Sequence, residues 1–500
     1  MTTTKELYES YKEQMRRVAD IKYASAVLQW DQETYLPPKS APIRGQQIAT
    51  LSELAHQFFT DEKLGNTLQE LSQRNDLSGD EKRNIELTLE DYNKNKKYSS
   101  SFVRKMSEQV NKTFHAWLEA RKQNSFSIFE YDLKNLVQLK REETEILGYE
   151  NHPYNSLLNE YEKGCTTALL DKTFGDLLPD LKNLLDKISA KPQVDNSFLQ
   201  KHYPKQEQWN WGMHLIKELN FDFEAGRQDI SEHPFTTNFS STDVRITTRV
   251  NENDFSSMTW GCIHETGHAL YEQGLPIDQY GLPLGEAASL SIHESQSRLW
   301  ENNVGRSSSF WGYYFPQLQQ HFPKQLGDIS IEQFYKGINK VEPSFIRTEA
   351  DEVTYHFHVY IRYQLEKNLI DGTIETKDIQ SFWNENYEKY LGIDVMSDNQ
   401  GCLQDIHWSH GSFGYFPTYS LGSLYAAQFF AAANAQIDNL EKQLQTGDSH
   451  NLLEWLRKKV HCHGRKFTSE ELCRNITGKT LDARDFMTYL LQKYTTIYNL

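Results

Sequence analysis

The chain has 500 residues, 38% hydrophobic and 24% charged, with a formal net charge of −16. That composition can fill a large core and disfavours nucleic acid, whose binding proteins present a basic face. No apolar run approaches the roughly 18 residues of a membrane helix.

Fourteen prolines and 26 glycines favour long helices over turn-rich sheets. The N-terminal MTTTKELYESYKEQMRR is charged early and carries no apolar core, unlike a secretory signal. Five scattered cysteines, odd in number, argue against a disulfide framework and suit a reducing compartment, so the protein is read as cytoplasmic. Apolar residues three and four apart predict helices over 4–30, 40–57, 79–95, 99–122 and 126–148. Ser78 and Glu81 have capping-box spacing, and Thr60-Asp61 precedes another short helix. Lys191-Pro192 and Pro204-Lys205 flank a loop.

Between Ile230 and Asn253 the period changes. Val244, Ile246, Thr248 and Val250 alternate with Arg245, Thr247 and Arg249, which marks a short strand or hairpin. Its place in the chain suits a strand lining a substrate cleft, and the period suits an ordinary edge strand equally well. Helical spacing resumes over 352–371, 376–391, 418–445 and 481–498. His461-Cys462-His463 has no second ligand pair nearby and reads as a polar turn between helices. No repeat or Pro/Gly/Ser linker interrupts the chain. The expectation is one mainly helical, all-α domain over 1–500 with a small β region. An N-terminal lobe would cover roughly 1–200 and a metal site and cleft roughly 230–425.

The run Trp260–Tyr271 (WGCIHETGHALY) carries the chemistry. His264 and His268 are four apart, so on a helix both imidazoles leave one face and can bind one ion. Glu265 stands beside the first ligand, placed to reach a water on the metal without ligating. Two surface histidines on a helix would give the same spacing. A catalytic zinc wants three protein ligands and an open position, so a third should come from another element. Gly285–Arg298 (GEAASLSIHESQSR) reads as a second helix after the Gly281-Leu282-Pro283 break, turned back against the first. Glu294 is the best third ligand. Glu286 is its rival, although a carboxylate at a helix start more often stabilises the dipole. His293 could also ligate, but support of the site or contact with substrate fits it better.

With these residues in view, the chain resembles the Taq-type metallocarboxypeptidase family, whose helical fold is similar to neurolysin and angiotensin-converting enzyme. The resemblance is carried by His233-Pro234-Phe235, Asp243–Arg249 (DVRITTR), His264–His268, His293–Gln296 (HESQ), Ile346–Asp351 (IRTEAD), Gly401–Trp408 (GCLQDIHW) and Gly414–Tyr419 (GYFPTY). Gln29–Thr34 (QWDQET) followed by Pro37 extends it to the N-terminus. It implies two helical lobes around a deep cleft, metal ligation by His264, His268 and Glu294, and a homodimer.

The implied reaction is metal-dependent removal of residues from peptide C-termini, with Glu265 as general base. Zinc suits the ligands, and cobalt can be accepted by the same site. His407 and Tyr419, with Tyr415 as a substitute, are candidate donors to the oxyanion. Arg347 is the first candidate to hold the substrate carboxylate, its planar fork matching both oxygens, with Arg245 and Arg249 as alternatives. Any of these arginines could instead be a structural ion pair. Asp351 and Asp405 are expected to orient a histidine or arginine, and Trp408 to pack. An oligoendopeptidase or a dipeptide-releasing enzyme on the same fold is the alternative, and a silent scaffold is a further one that the intact Glu265 opposes.

Overall fold

Helices dominate the computed structural model, which describes residues 2–500, and one small sheet accompanies them. The expected mainly helical class is therefore what forms. Where periodicity predicted a helix, one forms within a few residues: 79–95 is Gly79–Asn95, 99–122 is Ser100–Gln123 and 126–148 is Ser127–Leu147. Ser78 and Glu81 complete both halves of their capping box, and Asp61 caps Glu62–Ser72. The stretch 418–445 breaks into Pro417–Gln436 and Leu440–Leu444. Several helices are absent from the expectations, among them Thr167–Ser189 with its internal proline, Lys205–Glu218, Ser308–His321 and His450–Lys459. Among the described residues no helix is long and apolar enough to cross a membrane.

The chain forms two compact units, each built from separated stretches. The first comprises residues 1–96, 195–338 and 428–480, and the second 97–194, 339–427 and 481–500. One passage between them, at 194/195, lies in the loop flanked by Pro192 and Pro204.

In the first unit, helix α1 (Thr4–Thr34) starts at a capping box made by Thr3 and Glu6. Its Tyr8, Tyr11 and Met15 pack with Leu64, Leu68, Leu71 and Ile85 in one apolar cluster. Strands β1 (Gly226–Ile230), β2 (Thr236–Ser240) and β3 (Asp243–Thr248) form a sheet in the order β1-β3-β2. β3 pairs in parallel with β1 and antiparallel with β2, so it is the central strand and β2 an edge. The ordinary edge-strand reading of 244–250 is thereby overturned. Val244 and Ile246 are fully buried, as their alternation requires, and the strand ends before Val250.

Helix α2 (Phe255–Glu272) carries the histidine pair and is capped by Asp254, which accepts from the Ser256 N–H at 2.9 Å. Helix α3 (Leu290–Arg298) is capped by Ser289 and begins later than the sequence suggests. Residues 283–285 form a 3-10 turn, Glu286 is extended, and α3 begins where the Ser289 hydroxyl accepts from the Ile292 N–H at 3.1 Å. After α3 the coil widens into a π-helical segment, Leu299–Val304. In the second unit, α4 (Tyr355–Asp371), the turn His407–His410 and the N-terminal part of α5 (Pro417–Gln436) carry the downstream motifs.

Candidate active site

The ligand atoms of His264, His268 and Glu294 lie within 4.8 Å of one another. Both imidazoles face one carboxylate oxygen: His264 Nε2 is 3.8 Å and His268 Nε2 3.5 Å from Glu294 Oε2. Two nitrogens and one carboxylate oxygen converging on a point are the donor set of a catalytic zinc. His264 Nδ1–H donates to Glu301 Oε2 at 2.8 Å, so Nε2 is the nitrogen turned toward Glu294 and a candidate ion. His268 lacks such an anchor: its Nδ1 is buried without a hydrogen-bond partner, and its ring stacks on His293 at 4.4 Å. His293 in turn donates from Nε2 to Glu272 Oε1 at 2.8 Å. Glu286 plays no part here; its carboxylate lies 3.4 Å from Arg465.

The two ligand helices can meet because residue 267 has no side chain. A Cβ there would sit 2.7 Å from both the Gln296 carbonyl oxygen and the Ser297 Cα, closer than packed atoms tolerate. Glu294 is then gripped from its own helix. Arg298 Nε donates to Oε1 at 2.7 Å and Ser297 Oγ lies 3.1 Å from Oε2. Arg298 also bridges to Glu301 at 3.1 Å.

Burial disfavours charge on Glu294, yet Arg298 and the two histidines outweigh it and hold the carboxyl well below its usual range. Burial likewise opposes ionisation of Glu301, which Arg298 and His264 bring down to about 2. On His264 the desolvation penalty loses to Glu294 and Glu301, which raise it to about 9. Burial and His293 push His268 down to about 3. Glu265 is raised by burial, against the pull of His264 and a hydrogen bond from Thr236. Ligation requires an ionised carboxylate and two neutral imidazoles; Glu294 and His268 already have those forms, and an ion would displace the Nε2 proton of His264.

Arg245 belongs to this unit too. It pairs with Asp243 through two contacts of 2.9 Å and stacks over Trp30, with the guanidinium carbon 4.3 Å from the ring centroid. That places the N-terminal Gln29–Thr34 motif beside β3.

The second unit gathers the other predicted residues. Arg347, 6% exposed, donates from Nε to Asp405 Oδ1 at 3.0 Å and from Nη1 to the Tyr355 hydroxyl at 3.1 Å. The other oxygen of Asp405 takes Arg362 Nε at 2.6 Å. Burial opposes a charge on Asp405, but Arg362 and Arg347 hold it far below the usual carboxylate range. The Tyr419 ring lies under the Arg347 guanidinium at 4.7 Å, and its hydroxyl shares a 3.0 Å hydrogen bond with His407 Nε2. Tyr415 packs against both, its ring centroid 5.2 Å from each. Burial and Arg347 lower His407 to about 3, so it is neutral at ordinary pH.

Asp405 thus orients arginine as expected, and Trp408 packs, 1% exposed with its N–H on Glu366 at 2.8 Å. Asp351 does not orient a histidine or arginine. Its oxygens cap the turn into α4, accepting from the Val353 and Thr354 amides and from the Thr354 hydroxyl. The His461–His463 turn is a 3-10 segment in which His461 is fully buried, wedged against Gly274 and bonded to Gln296 at 3.0 Å.

Sequence reasoning missed Glu301, Arg298, Glu272, Thr236, Gly267 and Arg362. For Glu301 a signal existed: it stands seven residues after Glu294, two helical turns along the same face.

The chain is similar to known proteins over nearly its whole length. The model of the family described as carboxypeptidase Taq (M32) metallopeptidase matches residues 10–494. Carboxypeptidase 1 of Bacillus subtilis (strain 168) is 37% identical over 486 residues, covering 97% of each chain. The M32 carboxypeptidase structure from Deinococcus radiodurans R1 superposes with a TM-score of 0.97 at 37% identity, covering 99% of this chain and 100% of that one. A solved structure named CHT shares 57% identity, with a TM-score of 0.96 over 98% of this chain and 99% of its own.

Proposed function

The chain belongs to the carboxypeptidase Taq (M32) metallopeptidase family and is a metallocarboxypeptidase, and from that premise we propose that His264, His268 and Glu294 hold the catalytic metal while Glu265 moves the proton. The observation that carries the assignment is the convergence of the three donor atoms within 4.8 Å on the helix face next to Glu265. A divalent metal follows from the family. We read it as zinc, replaceable by cobalt, because two imidazoles and a carboxylate suit both. When bound, such an ion polarises the scissile carbonyl and lowers the pKa of water from ~15.7 to ~7.

The protein's residues do the rest. Glu265 accepts the proton of the attacking water and returns it to the leaving nitrogen as the peptide bond breaks. Tyr419 donates to the oxyanion, and neutral His407 donates from Nε2 to the Tyr419 hydroxyl and so aims its proton. Arg347 holds the C-terminal carboxylate of the substrate. Asp405 and Tyr355 fix its plane while donor hydrogens remain on both terminal nitrogens, and Arg245 and Tyr415 contact the remaining peptide. We read 1–500 as one peptidase domain, since neither compact unit is contiguous in sequence. We read the protein as a homodimer, as the resemblance implies, and as cytoplasmic, which its scattered cysteines, odd in number, support. Light scattering during size-exclusion chromatography tests the dimer.

Digests of a free-acid peptide and its amidated twin, followed by mass spectrometry, test the reaction. Ladder products are expected from the free acid alone; equal cleavage of the amide would restore the endopeptidase alternative, which the family does not favour. Glu265→Gln is expected to lose at least ~10²-fold in rate with metal retained, and an undiminished ladder from it would sink the assignment.

A further inference from the structure

The edge strand β2 lies along α2 in matching register. Thr236 and Asn238 are two apart on β2 and share a face; Glu265 and Glu272 are seven apart on α2 and share another. Each β2 residue holds one of the acids. Asn238 Nδ2 donates to Glu272 Oε2 at 2.6 Å, and Glu272 takes His293, which stacks on His268. Thr236 Oγ1 is 2.5 Å from Glu265 Oε2 and 3.1 Å from the Glu265 carbonyl oxygen. A hydroxyl has one proton to give, and the shorter contact goes to the charged oxygen.

We propose that Thr236 is a positioning residue for Glu265. Its hydroxyl pins Oε2 of the carboxylate so that Oε1 is presented to the attacking water. The physical need is plain. The last torsion of a glutamate is broad and roughly two-fold, so an unanchored carboxylate samples orientations that do not point at the reacting proton. Mispointing by about an ångström can cost ~10²-fold in rate. Glu265 is among the buried residues of α2, and no other side chain among the described residues donates a hydrogen bond to its carboxylate. Both contacts of the hydroxyl are to Glu265, so it acts through Glu265.

This inference rests on the reading of Glu265 as the base, so Glu265→Gln is assayed beside the Thr236 variants. Thr236→Val keeps the shape and the β-branched backbone preference while removing the donor; Thr236→Ser keeps the donor. In the zinc-loaded, full-length enzyme, Thr236→Val is expected to lose ~10–100-fold in kcat with KM, zinc content and unfolding temperature near wild type. Thr236→Ser is expected to recover most of that loss, a rescue that a merely structural tie between β2 and α2 would not give. Should Thr236→Val fail to fold, Thr236→Ala makes the same comparison with Ser.

A wild-type kcat in Thr236→Val beside an inactive Glu265→Gln overturns the proposal and leaves the base assignment standing. A loss in Thr236→Val that Ser does not rescue, or that follows zinc content, also overturns it. An active Glu265→Gln overturns the base assignment and the proposal with it.

Discussion

Glu301 anchors the first proposed metal ligand by one hydrogen bond from His264 Nδ1 and is itself held by Arg298. Its charge makes the imidazole a stronger donor to an ion on the opposite nitrogen. Glu301→Gln keeps the size and an acceptor but loses the charge. Zinc affinity, measured by competition with a chromophoric chelator, is expected to fall ~10–100-fold. Asp405 presents the opposite balance, one carboxylate between two buried guanidinium groups. Asp405→Asn strands both charges and is expected to cost ~3–5 kcal/mol in urea unfolding at neutral pH. The sign with pH follows from the direction of its shift. Because the folded-state pKa is depressed, the stabilisation is complete above the unfolded value of ~3.9 and is lost as pH falls below it. The gap between wild type and variant should therefore narrow in acid, and a gap that widens there would contradict this account.

At the scale of elements, the site depends on how closely α2 and α3 approach. Gly267 sets that distance, since a methyl group would meet the backbone of Gln296 and Ser297 at 2.7 Å. Backbone cannot swing aside as a flexible side chain can. Gly267→Ala is expected to destabilise the protein by ~1–3 kcal/mol and to weaken zinc retention by displacing Glu294 from the two histidines. Calorimetric unfolding together with metal content checks both. The helices themselves were largely legible, because 3.6-residue periodicity and caps such as Ser78 and Asp61 are local properties. The start of α3 was less so. Gly285–Ser289 offers no strong stop signal, and only the Ser289 oxygen on the Ile292 amide decides where the helix begins.

For the whole molecule, metal binding and folding are linked. The proposed ligands come from two helices, and the site brings Glu294, Glu301 and Glu265 together with Arg298 as the nearest permanent positive charge. An ion that binds only the folded chain stabilises it by mass action, ~4 kcal/mol when free zinc stands a thousandfold above Kd. Chelation should lower the unfolding temperature and abolish peptide cleavage together, and added zinc should restore both. A melting curve indifferent to chelator would show that the ion contributes nothing to the fold.

The sequence alone pointed to the helical class and to the proposed site, the histidine pair with Glu265 and Glu294 over Glu286, because these depend on spacing along one or two helices and on motifs in a fixed order. The tertiary structure alone decided the surroundings of those groups. It put Thr236 on Glu265, Glu301 behind His264 and the bare backbone of Gly267 against α3, and it made β3 a central strand. Asp405 meets Arg347 and Arg362 across 58 and 43 residues of chain, separations at which no periodicity survives. Contacts of that kind are chosen by packing and by the need to pair buried charge, and neither is written in local spacing.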